Sequence, residues 1–363
     1  MANLTQASTQ WATRPADQRF TSLHAMLDFM TRVRKHSVAR VVSSRQLTAQ
    51  PVEGNSSALV VSGPNGHAVA PTHWSFGQLA QRAGAPAGYL RDLPAPLAAD
   101  CINYGLHHSR DIEELGVLLH QDGGVGELTA VTGPNYGRVW NSTIVQALIA
   151  RFGDGVTGNF RVPGEFGGHV DVTTENTTLY ASDRDMFIFL ADEEHRIEVP
   201  RRRDGKPGSL ARGFFVSNSE VGKSKLIIAV FLFDYVCCNR IVWGSQGYEE
   251  IAIRHSSGAP DRWIEEVKPA IEAYANSSTT GLTTLIAQAQ QARIDDVDAF
   301  LASRFSKSQV GAIKAAHFAD EDRPIETLWD ATTAVTAYAR GIGYQDERVT
   351  LEREGGKILK LAA

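Results

Sequence analysis

Ser217-Asn-Ser-Glu-Val-Gly-Lys-Ser-Lys225, followed at once by Leu226-Ile-Ile-Ala-Val-Phe-Leu-Phe233, is the stretch on which the fold turns. Gly222-Lys223-Ser224 matches the second half of a phosphate-cradling P-loop. That loop needs a glycine five residues before Gly222, a strand ahead of it and a helix behind it. Ser217 stands where the first glycine belongs, and the residues after Lys225 are β-branched and aromatic, the composition of a buried strand. Phe231-Leu-Phe-Asp234 resembles the apolar run ending in a magnesium-holding Asp, but it falls within that same strand and is no independent partner. The stretch therefore reads as a tight glycine turn between two core strands. No cofactor and no metal is expected.

Outward from this turn, residues 158–259 carry further strands. They are Thr178-Leu-Tyr-Ala, Met186-Phe-Ile-Phe-Leu, Gly213-Phe-Phe-Val-Ser, Lys225–Tyr235, Glu250-Ile-Ala-Ile-Arg254 and His169-Val-Asp-Val-Thr. Gly, Asp and Pro turns separate them and no helix is placed for a parallel crossover, so an antiparallel sheet is expected. Pro200-Arg-Arg-Arg-Asp-Gly-Lys-Pro-Gly208 reads as an exposed turn. Residues 1–20 are polar and loose, and 21–157 form a mixed α/β region. It opens with a capped helix over Thr21–Lys35, with strands near Arg40–Gln46 and Ser57–Ser62 and helices over Pro96–His107 and Asn141–Phe152. Within it, Ala80, Gly84 and Leu90 have helix-turn-helix spacing, but the second helix begins Ala-Pro-Ala-Gly and offers no side chain to base edges. A structural helix pair is the better reading. Residues 260–363 are helical, with stripes at Trp263, Val267, Ile271 and Tyr274 and at Leu328, Ala331, Val335, Tyr338 and Ile342. The expected class is α+β: a central antiparallel sheet, N-terminal helices and a helical C-terminal region.

The 363 residues are 43% hydrophobic and 21% charged, as in a folded globular chain, and the net charge is −5. No apolar run approaches the roughly 18 residues of a membrane helix, no signal peptide is legible, and three cysteines make no disulfide framework. A cytoplasmic protein with no membrane partner is expected. Charge is uneven: residues 1–50 hold seven Lys/Arg against two Asp/Glu, and residues 196–225 hold eight against three. A basic patch on an acidic chain suffices to steer a phosphate ligand.

Familiar catalytic motifs are missing. Cys237 and Cys238 could join His255 at a metal only if adjacent strand residues shared a face, which they do not. His169 with Asp171, and Asp183 with Asp185, are two-residue fragments, too few for a metal or an acid/base site. His107-His108 reads as a helix end, and Cys101 has no nameable partner. The arginines say more. Arg201, Arg202, Arg203, Lys206 and Arg212 lie in and beside a turn, and Gly222, Lys223, Lys225, Arg240, Arg254 and His255 mark nearby strand ends. Together they would form a basic rim for a nucleic-acid backbone, with Phe214, Trp243 and Tyr248 as stacking platforms for bases.

Phe215-Val-Ser-Asn-Ser-Glu-Val-Gly-Lys-Ser, Val236-Cys-Cys-Asn-Arg-Ile-Val and Arg254-His-Ser-Ser-Gly258 resemble the phage- and plasmid-encoded "phage/plasmid-like" family of unknown function, domain of unknown function 932. Phe76-Gly-Gln-Leu-Ala-Gln-Arg-Ala-Gly, Tyr89-Leu-Arg-Asp-Leu-Pro94 and Pro134-Asn-Tyr-Gly-Arg-Val-Trp-Asn141 resemble it too, so the likeness spans about residues 60–275. The resemblance implies a mobile-element protein concerned with DNA processing, recombination or defence. The expected function is binding of single-stranded DNA, without catalysis, as a recombination or annealing accessory. The competing expectations are a host-protein partner inhibited through the acidic C-terminal helices, and an enzyme acting on nucleotides or nucleic acid. A homo-oligomer is left open.

Overall fold

The computed structural model describes residues 16–108, 113–124, 126–162, 171–174, 177–199, 208–234, 239–242, 251–342 and 345–363. The chain is α+β, built on two sheets and a helical C-terminal region. Helix α1 (Leu23–Lys35) starts where the Ser22 hydroxyl accepts the Ala25 N–H at 3.1 Å. It buries Leu23, Met26 and Met30 and ends in Arg32, Arg34 and Lys35, cations that complement its C-terminal dipole.

The first sheet comprises β1 (Ser37–Ser43), β2 (Thr48–Val52), β3 (Asn55–Ser62), β4 (Ala68–Pro71), β5 (Glu114–His120) and β6 (Glu127–Thr132). Its order is β1-β5-β6-β4-β3-β2, so β1 and β2 are its edges. The β4–β6 pair is parallel, a crossover made through α2 (His73–Arg82), α3 (Ala87–Asp92), α4 (Ala95–His108) and β5. These helices bury Leu79, Ile102 and Leu106 against Leu115 and Leu128. The α2–α3 pair is a core element: Ala80 and Leu90 are buried, and Gly84 takes the left-handed conformation (φ +68°) at the turn. Its close neighbour is α4, where a Cβ on Gly105 would lie 1.9 Å from the Ala83 carbonyl oxygen.

After α5 (Asn141–Phe152) come β7 (Phe160–Arg161), β8 (Leu179–Ala181), β9 (Met186–Asp192), β10 (Ile197–Val199), β11 (Gly208–Asn218), β12 (Leu226–Asp234), β13 (Asn239–Val242) and β14 (Ile251–Ile253). They make an eight-stranded sheet in which every pairing is antiparallel. Successive residues of β11 face opposite ways, and both ways are inside. Phe214 packs with Phe152 and Phe160 at 5.1 and 5.5 Å, whereas Phe215 packs with Phe189 at 5.4 Å. Burial on both faces is why β9 and β12 read as unbroken apolar runs instead of alternating ones.

Helix α6 (Ala259–Arg262), a π turn (Trp263–Val267) and α7 (Lys268–Ala275) carry the buried stripe Trp263, Val267, Ile271 and Tyr274. The rest is helical: α8 (Thr280–Gln291), α9 (Val297–Ala302), α10 (Lys307–Glu321), α11 (Leu328–Arg340) and α12 (Gln345–Lys360). Within this region α11 is nearly enclosed, and Asp330 near its start takes a bidentate pair from Arg323 at 2.6 and 2.9 Å. Among the described residues, no helix is long and apolar enough to cross a membrane.

Two sequence expectations change. Residues 163–170, including His169, lie outside the described residues, and Asp171–Thr173 are not in a strand. Asp183 and Asp185 sit in a bend ahead of β9, not on one extended face, and Asp185 is buried on Lys223 at 2.8 Å.

Candidate nucleic-acid interface

The Ser217–Lys225 turn joins β11 to β12, and it is fully occupied with holding the two sheets together. The Ser219 hydroxyl accepts the Lys223 N–H at 3.0 Å and the Val221 N–H at 3.3 Å, filling the concavity of amides that a phosphate would need. Gly222 takes φ +81° beside the Tyr136 ring, and the Tyr136 hydroxyl donates to the Ser219 carbonyl at 2.7 Å. Trp74 Nε1 and Gln78 Nε2 both donate to the Val221 carbonyl, at 3.0 and 2.8 Å. Arg138 Nε donates to the Glu220 carbonyl at 2.7 Å, and the buried Asn218 amide donates to the Val139 carbonyl at 2.8 Å. α2 and the β6–α5 connection are thus fastened to the hairpin by side-chain hydrogen bonds to main-chain carbonyls, which a change in the turn's backbone geometry would break. The P-loop likeness is a junction.

Glu220 also lines a cavity of about 190 Å³ between α1, β6 and the turns before β9 and β12, and its carboxylate accepts the Asn141 N–H. Burial pushes this carboxyl up to about 7, against the Asn141 hydrogen bond and the attraction of Arg138 and Arg34. A carboxyl raised in the folded state adds stability that is complete below its ordinary value of 4.5 and lost as pH rises through about 7. Glu220→Gln keeps the acceptor for Asn141 and removes the titration. Urea unfolding across pH 4 to 8 should therefore show the wild type losing stability relative to the variant, by on the order of 2 kcal/mol.

Of the sequence-predicted rim, three described members are buried: Arg212, Phe214 and His255. Arg212 is not a surface cation: its side chain is 6% exposed and pairs with Asp192 at 3.1 Å. Phe214 is a core residue, 1% exposed, with no face to offer a base. His255 is buried and stacks on Tyr136 at 4.8 Å, and burial holds its pKa below the ordinary value, so it brings no positive charge. Lys223 is tied to Asp185 at 2.8 Å. Lys225 and Arg254 are exposed side by side, flanking the Leu226–Ile253 pair of β12 and β14. The Arg240 backbone pairs with Phe233 in the sheet, and its side chain lies outside the described residues, as do Arg201, Arg202, Arg203, Lys206, Trp243 and Tyr248. The Cys237 and Cys238 pair lies outside them too. Among the described residues, no group of three His, Cys, Asp or Glu side chains is placed to hold a metal.

The basic surface that the described residues do form is elsewhere. From Phe29 to Val52 the chain has no Asp or Glu and five Lys/Arg, namely Arg32, Arg34, Lys35, Arg40 and Arg45. All five are exposed. Arg34 lies over the Trp140 ring at 5.2 Å and donates to Thr143 at 3.1 Å, pinning α1 to α5. Arg32 and Lys35 stand at one end of edge strand β1, Arg40 in its middle and Arg45 just past its other end. At about 3.3 Å per residue the row spans roughly 20 Å or more. The sequence carried the signal as the charge excess of residues 1–50, but only the strand order reveals that β1 is an open edge.

No family model matches this chain, and neither a curated protein nor a solved structure matches it.

Proposed function

We propose that the protein binds single-stranded nucleic acid along α1 and β1. One observation carries this reading: an acidic chain, −5 overall, concentrates Arg32, Lys35, Arg40 and Arg45 on one edge with no acidic residue between Phe29 and Val52. Such a row follows a phosphate backbone and gives salt-sensitive, sequence-tolerant binding. The mobile-element setting implied by the Ser217–Ser224 and Arg254–Gly258 resemblance agrees with a role in DNA recombination or annealing. Lys225 and Arg254 of the central sheet, and the Arg201–Arg203 run of the sequence, are further basic residues that the same assay can weigh against the α1–β1 face.

Arg32→Glu, Arg40→Glu and Arg45→Glu in one chain should weaken binding of a labelled single strand by at least tenfold at low salt. The slope of affinity against salt should become shallower, because fewer counterions are released. Fluorescence anisotropy over a salt series reads both. Wild-type affinity in that variant, with loss in an Arg201→Ala, Arg202→Ala, Arg203→Ala chain, would move the site to the central sheet.

A further inference from the structure

A cavity of about 320 Å³ opens behind β1, and Arg40 belongs both to its wall and to the cationic row. We infer that this cavity receives a nucleobase of the bound strand, so that bases enter it while phosphates lie on the cations outside. This rests on the nucleic-acid reading above. The volume is that of a small-molecule site. Its walls are apolar side chains from both halves of the first sheet, Val38, Val117 and Leu119 on one side and Val61 and Val69 on the other. Apolar walls suit the faces of a flat heterocycle. Its polar edge needs donors and acceptors, which Asn65, His67, His120 and Gln121 supply at the rim. Two rim histidines are already oriented: His36 faces Asp122 at 3.0 Å, and His120 lies 3.4 Å from the Ser37 hydroxyl.

The occupant follows from charge. Val38 and Val41 at the mouth are 46% and 54% exposed, an apolar opening set in a row of arginines and lysine, with no carboxylate from Phe29 to Val52. A ligand matching both features is apolar in its ring and anionic in its tether, which describes a nucleotide. Duplex DNA keeps its bases stacked inside and cannot enter, so the cavity would supply the preference for single strands that a row of cations lacks.

Wild-type protein is titrated with an oligonucleotide, with the same oligonucleotide bearing abasic sites, and with free mononucleotides, by anisotropy and calorimetry. Stacking of one base is worth ~1–3 kcal/mol, so the intact strand should bind about tenfold more tightly than the abasic one. Leu119→Trp and Val69→Phe, which fill the cavity from opposite walls, should each erase that difference and leave the salt dependence unchanged. Circular dichroism melts establish that at least one of the two is folded. Equal affinity for intact and abasic strands in the wild type overturns the cavity while leaving the basic face standing. If no oligonucleotide binds, the basic-face reading fails and the mononucleotides decide. Binding that the filled variants abolish makes the cavity a free-nucleotide site, and no binding overturns it.

Discussion

Arg212→Met should cost the fold about 3–5 kcal/mol, the penalty for leaving one charge of a buried pair without its partner. Arg212 holds three elements at one point. Its Nε donates to Asp192 of β9 at 3.1 Å, and its guanidinium donates to the carbonyls of Tyr274 and Ala275 at 3.3 and 2.9 Å and to that of Ser277. Those carbonyls lie at and just past the end of α7, where the Ser277 N–H also reaches the Tyr274 carbonyl, and a cation there meets the negative end of the dipole. Methionine fills much of the volume but leaves Asp192, 1% exposed, with the Arg212 guanidinium gone and, among the described residues, the His195 Nδ1 at 3.1 Å from its Oδ2. Adding Asp192→Asn should recover part of the loss, because the amide oxygen can still accept the Glu194 and His195 N–H groups while the uncompensated charge is gone. Urea unfolding followed by circular dichroism checks both. A loss below 1 kcal/mol in the single variant would mean that Asp192 is hydrated, and the burial described above would be wrong.

Gly137→Ala should cost about 3 kcal/mol or more, with near-complete loss of the junction between the sheets. The reason is close approach. A Cβ on Gly137 would lie 1.8 Å from the Ser256 carbonyl oxygen and 2.7 Å from its carbon, and neither can swing aside as a side chain would. The two backbones would have to part. That would break the Gly137 N–H to His255 carbonyl bond (3.3 Å), the His255 Nδ1 bond to the Gly137 carbonyl (3.0 Å) and the Tyr136–His255 stack. Overpacking against fixed backbone sits at the upper end of single-substitution effects. Thermal melting reads the stability loss. Faster proteolysis between α5 and the first sheet would locate it at the junction.

These positions also show what the sequence could and could not reveal. The β11–β12 hairpin was legible because Phe214 to Val216 and Leu226 to Leu232 are continuous apolar runs on either side of a glycine turn, and burial on both faces requires that pattern. The stripes of α7 and α11 were legible for the same local reason. By contrast β5 and β6 were not expected. Glu114-Leu-Gly-Val-Leu-Leu-His120 contains an interior glycine and no clean alternation, and Gly116 is there because β5 passes close to the Gly133 carbonyl, 2.8 Å from where a Cβ would be. Nor could spacing separate a buried arginine from an exposed one. Arg212 joined the predicted rim through its neighbours in sequence, while its real partners lie 20 and 62 to 65 residues away. The cavity behind β1 needs residues from β1, β3, β4 and β5 to meet, and no local pattern encodes that meeting. The stretches Pro134–Asn141, Ser217–Ser224 and Arg254–Gly258, far apart in sequence, converge at one junction.

The most direct measurement is hydrogen–deuterium exchange of the protein with and without a single-stranded oligonucleotide at low salt. Exchange should slow in residues 29–52 and in the neighbouring β5, with Val221 and Lys223 of the β11–β12 turn unchanged because their amides are already bonded to the Ser219 hydroxyl. Protection confined to residues 196–225, with 29–52 unaltered, would contradict this and return the binding site to the Arg201–Arg203 stretch of the sequence.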